Sequence, residues 1–85
     1  MSAVVLALAC HLVAQPIVER EAEGLAEHAL QSLDASDYQG AATLFIQAYQ
    51  KHALPEYLLQ AAQAYENARL AATALNLYLR YLQEV

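Results

Sequence analysis

The stretch DYQGAATLFIQAYQKHALP, from Asp37 to Pro55, decides the fold of this chain. Its apolar and aromatic residues recur at steps of three and four, which is the period of an amphipathic helix. Ser36 or Asp37 can accept from the free amides at the start, and Ser36 with Gln39 fits a capping box. Pro55 cannot continue the helix but suits the first turn of the next one. The inward face predicted for this helix carries Tyr38, Ala41, Ala42, Phe45, Ala48, Tyr49 and His52.

The same pattern returns 33 residues further along the chain. Ala74, Tyr78, Tyr81 and Leu82 repeat Ala41, Phe45, Ala48 and Tyr49. A helical pair that recurs at this period predicts a solenoid of stacked helix hairpins.

These residues resemble the tetratricopeptide repeat, whose unit is an antiparallel helix pair of about 34 residues. The second helix of that unit has Ala, an aromatic residue four positions on and Ala three further, as Ala41, Phe45 and Ala48 do. The resemblance covers roughly residues 21–85, with repeat one at about 21–54 and repeat two at about 55–85. It implies ten core positions, which are Leu25, Ala29, Ala41, Phe45, Ala48, Leu58, Ala62, Tyr65, Ala74 and Tyr78.

The chain departs from the family pattern in two places. Asn67-Ala68-Arg69 replaces the Gly-rich turn between the two helices, and Ala53 stands at the Pro position. Residues 56–84 contain no Gly or Pro, so local propensity also allows one long helix there. The resemblance predicts a break near Asn67. The alternative to a repeat is an Ala- and Leu-rich helical bundle that matches the family by composition alone.

Composition supports an all-α class. With 85 residues the chain makes one small domain, and 59% hydrophobic residues with two glycines argue against disorder. Ala, Leu, Gln and Glu are abundant after residue 20, and we expect a first helix from near Val18 to about Leu33. A net charge of -5, with four scattered cations, argues against a nucleic-acid partner.

Residues 1–16 form an apolar segment that differs from the helical domain at 17–85. The run from Ala3 to Ala14 carries no formal charge and has the length of the apolar region of a secretory signal. Ala7 and Ala9 give an A-x-A pattern before Cys10, which resembles the lipid-attachment site of bacterial lipoproteins. Export to the periplasm or cell envelope is one interpretation. A cytoplasmic protein whose apolar segment packs on the repeats is another, and a membrane anchor is a third.

Residue types that perform catalysis lack the necessary spacing. The histidines His11, His28 and His52 lie in three different segments, so none forms a helical metal pair. No Gly-rich loop and no nucleophile motif is present. We therefore expect no enzyme activity, no metal and no cofactor.

The resemblance instead implies a module that binds a protein or peptide through the concave face of its first helices. Chaperone-binding members of the family hold a carboxylate there with Lys and Asn, and neither first helix here contains Lys. An apolar or basic partner is expected for the groove set, which comprises Glu23, Ala26, Leu30, Leu33, Glu56, Leu59, Gln63 and Glu66. The alternative is a structural role, in which the chain self-associates or forms the front of a longer repeat scaffold.

Overall fold

The computed structural model describes residues 16–85, which form four α-helices joined by short turns. Helix α1 spans Pro16–Asp34, α2 spans Tyr38–Lys51, α3 spans Pro55–Asn67 and α4 spans Ala71–Glu84. No strand occurs in these residues. The all-α prediction is confirmed. The signal-like segment and the lipidation prediction at Cys10 lie outside the described residues.

Each helix packs against the next one in the chain, and small side chains let the backbones approach closely. Phe45 and Leu58 are the largest fully buried side chains of the described part. They lie among alanines that expose none of their surface, which are Ala22, Ala29, Ala41, Ala42, Ala48, Ala61 and Ala62. The core is therefore a layer of alanines around two large side chains.

The turns after α1 and α3 have the same backbone geometry. Ser36 (φ 61°) and Arg69 (φ 64°) both occupy the left-handed region, 33 residues apart. In the first turn the Ser36 amide donates to the Leu33 carbonyl at 2.9 Å, and the Asp37 amide donates to the Ser32 carbonyl at 2.8 Å. These two bonds define a Schellman motif, which satisfies the last carbonyls of a helix.

The turn after α3 has the same motif, and it likewise contains no glycine. The Arg69 amide donates to the Glu66 carbonyl at 3.0 Å, and the Leu70 amide donates to the Tyr65 carbonyl at 2.9 Å. Residues 56–84 therefore form two helices with a break after Asn67.

The cap of α2 corrects one detail of the sequence-based expectation. Ser36 belongs to the preceding turn, and the N-cap is Asp37, whose Oδ1 accepts from the Gly40 amide at 3.0 Å. No capping box between Ser36 and Gln39 forms. A β-carbon at Gly40 would collide with the Asp37 carboxylate, so the glycine leaves room for this cap.

The packing of α2 against α3 joins the pair α1–α2 to the pair α3–α4, and a few side chains of alternate helices also meet. The Tyr49 hydroxyl of α2 donates to Glu84 of α4, and the Arg80 guanidinium lies 5.5 Å from the centre of the Tyr49 ring. On the other side of the molecule, α1 and α3 share the walls of a pocket that contains Tyr57. Side chains therefore link α2 with α4, and α1 with α3, in addition to the packing of successive helices.

Candidate functional site

A pocket of about 400 Å³ opens between α1 and the first turn of α3. One wall comes from α1 and the other comes from a single residue of α3, Tyr57. The α1 wall consists of Arg20, Glu23, Gly24, Ala26, Glu27 and Leu30.

The periodicity of the α-helix brings the residues of the α1 wall together. Glu23 and Gly24 each lie three or four positions from both Arg20 and Glu27, which places the four residues on one face. The space beside Gly24 is open, because no atom of a neighbouring element lies within 4 Å of where its β-carbon would stand. Leu30, with 50% of its surface exposed, adds apolar surface to this wall.

Tyr57 is the most buried of the side chains that line the pocket. Only 8% of its surface is exposed. Its hydroxyl forms no hydrogen bond within residues 16–85, yet no fully buried polar side-chain atom in that range lacks a partner. The Tyr57 side chain lines the pocket, and its hydroxyl has no hydrogen-bond partner among the described residues.

The electrostatic environment of Tyr57 is acidic. Burial raises the pKa of its hydroxyl, and the negative charges of Glu23, Glu56 and Glu19 raise that pKa further. Glu23 and Glu19 belong to α1 and Glu56 to α3, so carboxylates reach this ring from both walls. The hydroxyl stays protonated and neutral at physiological pH.

The structure gathers only part of the predicted groove set at this pocket. Glu23, Ala26 and Leu30 line it, and Glu56 acts on Tyr57 from the adjacent position. Ala26 and Leu33 also pack partly against the core, while Leu59 is half-buried and Gln63 is exposed.

Glu66 has a different role from the rest of the groove set. Its Oε1 accepts a hydrogen bond of 2.6 Å from the Tyr78 hydroxyl, which ties α3 to α4. The same bond raises the pKa of Tyr78. The Glu66 carboxylate is therefore engaged with the following helix and does not line the pocket.

The ten predicted core positions fall into two groups. Leu25, Tyr65 and Tyr78 are half-buried and pack against the core. The remaining seven are buried, with at most 2% of their surface exposed, and they are Ala29, Ala41, Phe45, Ala48, Leu58, Ala62 and Ala74.

Sequence reasoning missed four residues of the pocket, namely Arg20, Gly24, Glu27 and Tyr57. The helical spacing of Arg20, Glu23 and Glu27 was visible in the sequence. Tyr57 gave no comparable signal, because an aromatic residue in the first turn of a helix commonly serves packing alone.

Two other kinds of site find no counterpart in residues 16–85. No group of three or more His, Cys, Asp or Glu side chains is arranged to hold a metal ion. None of the four helices is long and apolar enough to cross a bilayer.

Comparison of the chain with models of known protein families, with curated proteins and with solved structures finds no match.

Proposed function

We propose that the chain is a protein-interaction module that binds a peptide or helix across the α1 and α3 face. Its architecture in this proposal is a short solenoid of about two repeats, similar to the tetratricopeptide repeat. The pocket at Tyr57 is the observation that carries the proposal. It combines a surface cavity, walls that are part apolar and part charged, and a hydroxyl with no partner among the described residues.

The regularity of the backbone supports the repeat architecture. Helices α2 and α4 each contain 14 residues. The left-handed residues Ser36 and Arg69 that precede them, and the hydrogen bonds of the two turns, recur at the same interval. In such an arrangement the first helices line one face and the second helices line the other.

The partner in this proposal presents an apolar stripe flanked by Lys or Arg. Leu30 provides half-exposed apolar surface, and Glu23, Glu27 and Glu56 provide exposed carboxylates around it. Complementary charge of this kind increases association rate and selectivity more than it increases affinity. The net charge of -5 acts in the same direction.

An unbiased selection tests this proposal. A random peptide library displayed on phage is panned against the full chain, and peptides that also bind a Leu30→Ser variant are removed. We expect the remaining sequences to carry apolar residues at helical spacing together with Lys or Arg. Amide chemical shifts of the ¹⁵N-labelled chain should then change on α1 and α3. Shifts confined to α4 would contradict the proposal.

A second candidate function is self-association of two copies through α4. Leu75, Leu79 and Leu82 expose 57%, 50% and 64% of their surfaces and form one stripe with Ala72. From Ala72 to Leu82 the intervals are three, four and three residues, so the stripe has the same spacing in both directions along the helix. Two antiparallel copies can therefore pair Leu75 with Leu79, and this register also brings Arg69 of one copy close to Glu84 of the other.

Molar mass in solution tests self-association. Sedimentation equilibrium over a range of concentrations should show a dimer, and Leu79→Glu should shift the chain to monomer by placing two carboxylates in the apolar seam. Thr73→Glu adds the same charge to α4 away from the stripe and should leave the dimer intact. A chain that is monomeric at all concentrations would exclude this function.

A further inference from the structure

The pocket at Tyr57 has a chemistry more specific than general peptide binding. Tyr57 is a polar side chain more than nine-tenths buried that lines the pocket, and its hydroxyl has no hydrogen-bond partner among residues 16–85. The charge of Glu23, which also lines the pocket, acts on this hydroxyl. A polar atom without a partner in the wall of a pocket favours a ligand that brings a hydrogen-bonding group.

We infer that this pocket receives one Lys or Arg side chain of the bound partner. In this arrangement the partner's cationic head lies near the carboxylates of Glu23 and Glu27 and donates a hydrogen bond to the Tyr57 hydroxyl oxygen. The inference rests on the proposed function, because it specifies one position of the peptide that the α1 and α3 face would bind.

Charge favours a cation over an anion at this position. Two of the charged residues lining the pocket are acidic, Glu23 and Glu27, and one is basic, Arg20. Glu19 and Glu56 add negative charge close enough to act on the Tyr57 hydroxyl. An anionic group would have Arg20 as its one cationic contact on these walls and would face repulsion from the carboxylates.

The shape and polarity of the walls suit the long stem of Lys or Arg. Gly24 leaves open space beside α1, and Ala26, Leu30 and the Tyr57 ring supply apolar surface. Lys and Arg bury their methylene chains along such surface while the charged head stays near polar groups. A volume of about 400 Å³ lies at the lower end of the range for ligand pockets. One Lys or Arg side chain fits in this volume with room for neighbouring atoms of the partner.

The test uses a selected peptide and three synthetic derivatives. Isothermal titration calorimetry compares the peptide with forms in which its central Lys or Arg becomes norleucine, Gln or Glu. We expect norleucine and Gln to weaken binding about tenfold, and Glu to weaken it further, since a charged hydrogen bond is lost. Equal affinity of the norleucine form would overturn the inference, and so would tighter binding of the Glu form.

Variants of the chain test whether the partner's Lys or Arg binds in the pocket at Tyr57. Gly24→Leu extends a side chain into the open space and should weaken the parent peptide about tenfold while removing the sensitivity to its Lys. Tyr57→Phe removes only the hydroxyl and should weaken it several-fold, and Glu27→Gln should do the same. Asp34→Asn removes an exposed charge at the far end of α1 and should change affinity little. Circular dichroism confirms that each variant remains helical.

The outcomes separate this inference from the proposed function. If Leu30→Ser abolishes binding but Gly24→Leu and Tyr57→Phe bind normally, the face binds peptides and the cation pocket is wrong. If the selection yields no peptide that depends on Leu30, both proposals fail together.

Discussion

Helices α2 and α4 each contain 14 residues and follow turns of the same geometry, so positions 33 residues apart in them are compared as equivalent, yet their surroundings differ. Ala41 and Ala74 are both buried, but Phe45 exposes 1% of its surface while the equivalent Tyr78 is half-buried. Tyr49 is half-buried, and its equivalent Leu82 is largely exposed. Helix α2 packs against both α1 and α3, whereas the extensive contacts of α4 are with α3. Equivalent sequence positions therefore differ in burial, because α2 is covered by two helices and α4 mainly by one.

The largest expected effect comes from truncating the aromatic residue in each half. Phe45→Ala should lower the free energy of unfolding by about 3–5 kcal/mol, because it removes a large, fully buried ring. Tyr78→Ala should lower it by about 1–2 kcal/mol, since that ring is only partly buried. Urea unfolding followed by circular dichroism measures both. Equal losses would mean that α4 is as well covered as α2.

Alkaline pH should affect the contacts of α4. Hydrogen bonds to Glu84 and Glu66 raise the pKa values of Tyr49 and Tyr78 in the folded chain. The folded chain then holds these protons more tightly than the unfolded chain does. The associated stability is complete below pH of about 10, the usual Tyr pKa, and is lost as pH rises through the folded-state pKa.

Unfolding midpoints measured at increasing pH test this dependence. Tyr78→Phe should flatten the decline, because it removes one of the two groups responsible. Glu66→Gln keeps an acceptor for Tyr78 but removes the charge, so the Tyr78 pKa should move back toward its usual value. An unchanged alkaline decline in a Tyr49→Phe, Tyr78→Phe double variant would exclude this explanation.

The smallest expected effect compares the two turns. Ser36→Gly and Arg69→Gly should each raise the free energy of unfolding by up to about 1 kcal/mol, since glycine adopts the left-handed conformation without strain. The gain is limited by the greater backbone freedom of glycine in the unfolded chain. Ala68→Gly is a control at ordinary φ (-79°) and should be destabilising. Thermal unfolding measures the stability of each variant. If only one of the two turn variants gains stability, the backbone strain at Ser36 and Arg69 is unequal.

Much of the fold could be predicted because its signals are local. The three- and four-residue spacing around Phe45 predicts α2, and the acidic first turn and Asp34–Asp37 cluster predict α1 and its turn. The break after Asn67 was not predictable from propensity, because Ala68, Arg69 and Leu70 are ordinary helix residues. There the repeat resemblance supplied the expectation, and the Schellman hydrogen bonds at Arg69 show how the chain makes the turn.

The sequence by itself determined that the chain is helical and which face of each helical stretch is apolar, since both depend on residues three or four positions apart. Only the tertiary structure decided what each face meets. It buried Tyr57 in the wall of the pocket, joined Glu66 to Tyr78, and left Leu75, Leu79 and Leu82 exposed. These outcomes depend on how residues far apart in the chain pack together, and helical periodicity carries no information about that packing.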